Sequence, residues 1–119
     1  MSAQGAYVHV LLVEDDPTQR LLVGDLLSQQ GYVVHRAAGL EDARGHLSEA
    51  NLQLVVSDFQ LGDGDGLALL REVRTRRPEL SFVLVTAYGS IEHAVQAVQA
   101  GADDYLTKPF QPQALLLVV

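Results

Sequence analysis

The chain contains no cysteine and no tryptophan, and Lys108 is the only lysine among its 119 residues. Without cysteine, neither disulfide bonds nor thiolate metal sites are possible, which suits a reducing compartment. The longest apolar run, Ala114–Val119, is far too short to span a membrane, and the amino terminus lacks the charged-then-apolar pattern of a signal peptide. These absences predict a cytoplasmic protein that makes no membrane contact.

Basic residues of both kinds are scarce. Eight lysine and arginine residues face fifteen acidic residues, so the formal net charge is −7. No basic stripe exists to neutralise phosphates, which argues against nucleic-acid binding by this domain. An arginine cluster, Arg74, Arg76 and Arg77, precedes Pro78. We interpret it as the solvated end of a helix, where the helix dipole favours cations.

The length allows one compact domain with a single hydrophobic core, and 48% apolar residues is a globular value. Residues 1–7 are predicted to be a loose leader, and residues 8–119 the domain. The run Ala114–Val119 has no cap, no polar outer face and no stop signal. It predicts that the last helix is truncated and that the domain was excised from a longer polypeptide.

Apolar strand patterns and amphipathic helix patterns alternate five times along the chain. The predicted strands are Val8–Val13, Tyr32–Ala37, Leu52–Ser57, Phe82–Thr86 and Tyr105–Thr107. The predicted helices are one from Pro17 to Gly31, Leu40–Glu49, Leu67–Arg76, one from Ser90 to Gly101, and one opening at Pro112. Successive strands are joined by crossovers of about a dozen residues or more, which parallel strands require. The pattern therefore predicts an α/β fold with a doubly wound parallel sheet, covered on both faces.

Finer patterns predict which residues face the core and which connection is mobile. The apolar spacing predicts an inner face of Leu22, Leu26 and Leu27 for the first helix, and of Ile91, Ala94, Val95 and Val98 for the fourth. Glycines 62, 64 and 66 predict a flexible loop after the third strand.

Chemically useful residues follow four of the apolar strands. Glu14–Asp16 end the first strand, Asp58 the third, Thr86 the fourth and Lys108 the fifth. In an open parallel sheet, residues just past the carboxyl ends of neighbouring strands meet in one crevice. Crowded carboxylates repel one another unless a cation binds among them. Carboxylates, a hydroxyl and one ammonium suit Mg²⁺ and a phosphoryl group, with one carboxylate as acceptor.

Other known ligand-binding motifs do not match this sequence. The glycine-rich loop lacks the spacing of a dinucleotide fingerprint, because Leu67 stands where the last glycine belongs. Lys108 follows a threonine, so no P-loop exists, and counting from Asp58 or Asp63 gives no EF-hand ligand ladder. The histidines show no ligand spacing and are interpreted as structural or solvated, away from the crevice; they are His9, His35, His46 and His93.

Together these residues resemble the receiver domain of two-component response regulators. The likeness runs from Leu12–Asp16 through Asp58 and Thr86–Ala87 to Tyr105–Phe110, in the order and spacing of that family. It implies a flavodoxin-like (βα)5 fold with strand order 2-1-3-4-5. It also implies a signalling domain that catalyses only its own phosphorylation and dephosphorylation, with a sensor histidine kinase or a phosphotransfer protein as partner.

The resemblance assigns metal-site roles residue by residue. Asp58 matches the phosphoacceptor and, with Asp15, the direct Mg²⁺ ligands. The backbone carbonyl of Gln60 matches the third ligand, and Glu14 matches the acid that holds the metal through water.

The resemblance also assigns a switch. Thr86 matches the hydroxyl that bonds the phosphoryl oxygen, Lys108 the cation that pairs with it, and Tyr105 the aromatic rotamer switch. Phosphorylation would alter the surface of the fourth helix and fifth strand, with homodimerisation through that face and the last helix as one outcome. The stretches Thr86–Ser90 and Gly101–Leu106 look most like receivers of sigma-54-dependent transcriptional activators, which implies control of transcription.

One departure and two alternatives stand beside this resemblance. The family usually has a proline four residues after the acceptor, where this chain has Gly62, which predicts a more mobile loop. A haloacid dehalogenase-type phosphatase also uses an aspartate nucleophile, but needs a second aspartate where this chain has Gln60. A degenerate receiver acting only as an interaction module would lack the acceptor or the lysine, and both are present.

Overall fold

The computed structural model describes residues 8–86 and 91–107, apart from the side chains of Thr86, Ile91 and Thr107. The strands of the main sheet are β1 (His9–Val13), β2 (Val33–Ala37), β3 (Leu52–Asp58), β4 (Ser81–Thr86) and β5 (Asp104–Thr107). The described helices are α1 (Pro17–Gln29), α2 (Leu40–His46), α3 (Gly66–Arg76) and α4 (Ile91–Gln99). The predicted leader, the Ser90 start of the predicted fourth helix and the truncated last helix lie outside the described residues.

The sheet confirms the predicted doubly wound topology. All neighbouring strands are parallel, in the order β2-β1-β3-β4-β5. Successive side chains of β1 enter opposite core layers, Val10 and Leu12 on one face and Leu11 and Val13 on the other. Burial on both faces explains why the strand reads as a continuous apolar run. Within the described residues, no helix combines the length and hydropathy needed to cross a bilayer.

Helix α1 begins and ends where the sequence predicts. The Asp16 carboxylate accepts a hydrogen bond from the Thr18 amide at 2.9 Å, which caps the first turn ahead of Pro17. Gly31 follows the helix with φ +95°, a conformation that costs glycine little. The predicted inner face is partly wrong, however. Leu27 is buried as expected, but Leu22 is 59% exposed.

Helix α4 presents the opposite face from the one predicted. Val95 is 49% exposed and Val98 is 64% exposed, whereas Ala97 is fully buried. The prediction that the valines face inward is therefore wrong. The α4 surface that packs on the core carries small side chains, with Ala97 and Ala100 in contact with the core cluster. Two large apolar side chains remain on the outside of the helix.

Two members of the arginine cluster are structural rather than solvated. Arg74 donates from Nε to the Gly101 carbonyl at 2.9 Å and from Nη1 to the Leu80 carbonyl at 2.6 Å. Arg77 donates from Nη1 to the Leu47 carbonyl at 2.7 Å. Both guanidinium groups thus donate hydrogen bonds to backbone carbonyls of segments that connect helices and strands. The prediction of a purely solvated helix end is therefore wrong for Arg74 and Arg77.

Three histidines that lie far apart in sequence meet near the amino-terminal end of β1. His9 Nδ1 lies 3.0 Å from His35 Nε2, and the ring centroids of His35 and His46 are 5.9 Å apart. Burial lowers the pKa of the His35 imidazole, the Glu49 carboxylate opposes that change, and His9 and His46 reinforce it. We call these three residues the histidine cluster.

Candidate functional site

Three carboxylates meet at the carboxyl ends of β1 and β3. Oxygen atoms of Glu14, Asp15 and Asp58 all lie within 4.8 Å of one another. Glu14 is only 6% exposed, Asp58 is half-buried and Asp15 is exposed. This carboxylate cluster therefore combines crowded negative charge with one open side, an arrangement that favours a hard divalent cation with oxygen ligands.

Glu14 is held at the end of β1 by backbone and side-chain hydrogen bonds. Its amide donates to the Ala37 carbonyl of β2 at 3.1 Å. Its Oε2 accepts from the Asp16 amide at 3.1 Å, and its carbonyl accepts from Arg20 Nη1 at 2.8 Å. These contacts orient the buried carboxylate between the strand and the start of α1.

Asp58 is the last residue of β3 and pairs in register with Val85 of β4. The next amide, that of Phe59, donates to the Val85 carbonyl at 2.6 Å, and the Gly66 amide donates to the Phe59 carbonyl at 2.6 Å. Asp58 thus lies at the end of the parallel ladder and is close in space to Gly66, the first residue of α3. Its backbone is fixed from both sides, which limits the positions that its carboxylate can take.

Gly66 packs directly behind the acceptor position. A Cβ atom at Gly66 would collide with the carbonyl oxygen of Asp58, and it would lie 2.9 Å from Leu84 Cδ1 and 3.0 Å from Ser57 Oγ. Real Cβ atoms essentially never approach that closely. The absence of a side chain at residue 66 is therefore what lets α3 start against the end of β3.

The glycine-rich segment after Asp58, which the sequence predicts to be a flexible loop, contains a short hairpin and a cap. Gln60–Leu61 pairs antiparallel with Gly64–Asp65. At the tip, Asp63 accepts hydrogen bonds from the amides of Leu40 at 2.7 Å and Glu41 at 3.1 Å. These amides, Glu41 first, lower the pKa of the Asp63 carboxyl. Asp63 thereby ties the segment containing Gly62 to the start of α2.

The remaining predicted site residues are placed as follows. Thr86 ends β4 and pairs with Thr107, while Tyr105 lies on β5, pairs with Leu84 and is 38% exposed. Gln60 opens the hairpin two residues beyond the predicted acceptor. Lys108 lies outside the described residues, and so does the side chain of Thr86.

The structure also shows a ring contact next to the acceptor position that the sequence did not reveal. The rings of Phe59 and His93 stack with centroids 3.8 Å apart and planes 10° apart. His93 therefore lies nearer to the crevice than predicted, against the residue that follows Asp58. The sequence shows that an aromatic residue, Phe59, directly follows Asp58, but no sequence pattern identifies His93 of α4 as its partner.

Comparison with known proteins identifies the class that this fold and site define. The family profile described as the response regulator receiver domain matches residues 10–119. The chain belongs to this family.

Individual relatives agree with that assignment. The chain is 43% identical over 110 residues to the response regulator protein FleR of Pseudomonas aeruginosa. This alignment covers 92% of this chain and 23% of FleR. The chain is 40% identical to the transcriptional regulatory protein GlrR of Escherichia coli, covering 90% of this chain and 24% of GlrR. The chain thus spans about a quarter of the length of these two curated relatives.

A solved structure shows the same architecture. The crystal structure of the receiver domain of NtrX from Brucella abortus superposes with a TM-score of 0.86 at 37% identity, covering 92% of each chain. The predicted resemblance to receiver domains is therefore confirmed by sequence and by fold.

Proposed function

We propose that this domain accepts a phosphoryl group on Asp58 from a sensor histidine kinase or a phosphotransfer protein. The observation that carries the proposal is the carboxylate cluster at the carboxyl ends of β1 and β3. In the transfer, an Asp58 carboxylate oxygen forms a bond to phosphorus as the bond between phosphorus and the donor's imidazole nitrogen breaks. The electron pair of the broken bond leaves with the imidazole.

The donor set fits Mg²⁺, because it consists of carboxylate oxygens with one side open to solvent. Asp15 and Asp58 would hold the ion directly with the Gln60 carbonyl, and Glu14 would hold it through water. When bound, Mg²⁺ would supply positive charge that offsets the negative oxygens of the phosphoryl group. The remaining work of this chain is to position Asp58, for which its backbone is fixed by β4 and Gly66.

A small phosphodonor tests the function. With acetyl phosphate and Mg²⁺, we expect intact-mass analysis to show at most one phosphoryl group per chain, in a linkage that hydroxylamine cleaves, as an acyl phosphate requires. EDTA should prevent the labelling. Rapid multiple-turnover release of phosphate without a labelled chain would instead support the alternative of an aspartate-nucleophile phosphatase. No labelling under any condition would support an interaction module only.

The metal site leads to a separate prediction. We expect Asp15→Asn to weaken Mg²⁺ binding by at least about tenfold, because the cluster loses one of its few charged oxygen ligands. Calorimetry or NMR titration measures the affinity. Asp65→Asn is the matched control, since Asp65 caps α3 by accepting from the Ala68 amide at 2.7 Å. Unchanged affinity in Asp15→Asn would place the ion elsewhere.

The signal is proposed to leave through the surface formed by α4 and β5. That surface already exposes Val95, Val98 and Tyr105, so burial of Tyr105 would change the apolar area that it presents. Exposed apolar area of this kind supports dimerisation or docking of an output domain. The likeness to receivers of sigma-54-dependent transcriptional activators, together with relatives named as transcriptional regulatory proteins, supports transcription as the output. A cytoplasmic location is part of this proposal.

Tyr105 provides the readout of that switch. We expect phosphorylation, or beryllofluoride in its place, to bury the Tyr105 ring as Thr86 bonds the phosphoryl oxygen. Thr86→Ala should still accept the phosphoryl group but shift Tyr105 poorly. A hydrogen bond to a charged group contributes about 1.5–3 kcal/mol, enough to change a two-state equilibrium roughly tenfold or more.

Ring NMR or tyrosine fluorescence can follow the residue, because the chain has no tryptophan. Thr75→Ala is the matched control, since the Thr75 hydroxyl donates to the Arg71 carbonyl on its own helix, α3. An unchanged Tyr105 signal with the phosphoryl mimic in the wild-type chain would contradict this mechanism of signalling.

A further inference from the structure

The histidine cluster lies at the end of the sheet opposite the carboxylate cluster. His9 is the first residue of β1, and Glu14 follows the last residue of the same strand. Glu14 is five positions after His9, which corresponds to roughly 16 Å at about 3.3 Å per residue. Any chemistry at the histidine cluster therefore belongs to a different region of the domain from the proposed phosphorylation site.

The imidazoles of His9 and His35 already bring two nitrogen atoms together. His9 Nδ1 and His35 Nε2 are 3.0 Å apart, with ring centroids at 5.2 Å and ring planes at 23°. Two nitrogens bound to one metal at about 2.0–2.1 Å lie roughly 2.9–3.4 Å apart for bond angles between 90° and 109°. The observed separation is within that interval. The hydrogen bond between the two rings has to open before both nitrogens can face one metal.

A third imidazole and two acids complete the surroundings. His46, near the end of α2, has its ring centroid 5.9 Å from that of His35. Its Nε2 lies 3.9 Å from a carboxylate oxygen of Asp42, one turn earlier on α2. The Glu49 carboxylate also lies close enough to His35 to affect its charge state. These acids favour a cation, and a carboxylate beside a ligating imidazole orients the ring.

We propose that the histidine cluster binds a transition-metal ion that prefers imidazole ligands, with His9, His35 and His46 as ligands. Zn²⁺, Cu²⁺ and Ni²⁺ share that preference, whereas Mg²⁺ does not. On binding, the metal replaces the proton between His9 and His35, and both rings turn so that their lone pairs point at the ion. Nitrogen atoms of the three rings do not all lie within 4.8 Å of one another in the structure, so His46 has to rotate its side chain toward the ion. The displaced proton moves through solvent to the other nitrogen of the same ring, so that both ligands are neutral imidazoles and no net proton is released.

The site depends on the fold and not on local sequence spacing. His9 is on β1, His35 on β2 and His46 on α2, so only the parallel pairing of β1 with β2 and the packing of α2 bring them together. An unfolded chain lacks this arrangement. Zn²⁺ should therefore raise the Tm of the folded domain as well as bind to it.

A titration with Zn²⁺ near neutral pH tests the proposal. Calorimetry measures the affinity, and NMR of the histidine ring nitrogens shows which rings bind. We expect the signals of His9, His35 and His46 to shift together with one equivalent of Zn²⁺ and to stay unchanged with Mg²⁺. His35→Gln should weaken binding by about 10- to 100-fold or more, since loss of an outer-shell partner alone costs that much.

Three further variants show whether Zn²⁺ binds at the histidine cluster or elsewhere. His46→Gln, at the end of α2, should weaken binding without disturbing the sheet. His93→Gln removes a histidine that stacks on Phe59 outside the cluster, and it should bind Zn²⁺ as the wild-type chain does. Asp58→Asn should also leave the Zn²⁺ affinity unchanged. Zn²⁺ that shifts only residues 14, 15 and 58, or that binds His35→Gln with wild-type affinity, would overturn the proposal.

Discussion

Replacement of Asp58 by asparagine is expected to abolish phosphoryl incorporation from acetyl phosphate, with no labelled chain above background. The carboxamide is nearly isosteric with the carboxylate but has no anionic oxygen to attack phosphorus. Folding should not suffer. Asp58 shares the carboxylate cluster with Glu14 and Asp15, and removal of one of several crowded like charges relieves repulsion. Intact-mass analysis and a thermal melt of the same sample measure both effects.

Asp25→Asn is the matched control for that experiment. Asp25 lies on α1 and forms an exposed ion pair with Arg36, at 3.2 Å, away from the carboxylate cluster. The same chemical change there should leave labelling at the wild-type level. If Asp58→Asn is labelled as fully as the wild-type chain, another residue is the acceptor and the proposed function is wrong at its central point.

Gly66→Ala is expected to have the second largest effect, because it acts on stability and on phosphorylation together. The new methyl group would collide with the Asp58 carbonyl and crowd Leu84 and Ser57. Overpacking of this kind costs about 1–3 kcal/mol, which corresponds to a fall in Tm of roughly 4–12 °C for a domain of this size. The Asp58 backbone must also shift, so labelling by acetyl phosphate should slow.

Gly62→Ala is the control, because it shows whether any alanine in this loop lowers the Tm and the labelling rate or whether only alanine at residue 66 does so. Among the residues that the structure describes, a Cβ atom at Gly62 would meet only Asp15 Oδ2, at 3.8 Å, which is an ordinary contact. We expect its Tm and labelling rate to stay close to those of the wild-type chain. Equal losses in both variants would mean that loop backbone freedom, and not the close approach of Gly66 to Asp58, governs the site.

The cap formed by Asp63 anchors the segment that carries three glycines after the acceptor. A proline stiffens a loop through its own ring, whereas here the Asp63 carboxylate bonds two amides at the start of α2. The sequence suggested mobility because glycine permits many backbone conformations. It could not show the cap, since Asp63 and Leu40 are 23 residues apart.

The sequence by itself determined the class of fold and the location of the acidic crevice. Alternating strand and helix patterns require a parallel sheet, and a parallel sheet brings strand ends to one edge. The positions of Glu14, Asp15 and Asp58 at those ends then follow from strand boundaries alone. Such inferences succeed because they depend on short-range patterns and on a topology with few alternatives.

Tertiary structure decided which surfaces and contacts those elements make. The apolar stripe of α4 showed that the helix has two faces, but packing against the sheet selected Ala97 for the inside and left Val95 and Val98 outside. The same is true of the histidine cluster and of Gly66 behind Asp58, which join residues from separate elements. Periodicity describes one element at a time, whereas these contacts depend on the angle and distance at which two elements pack.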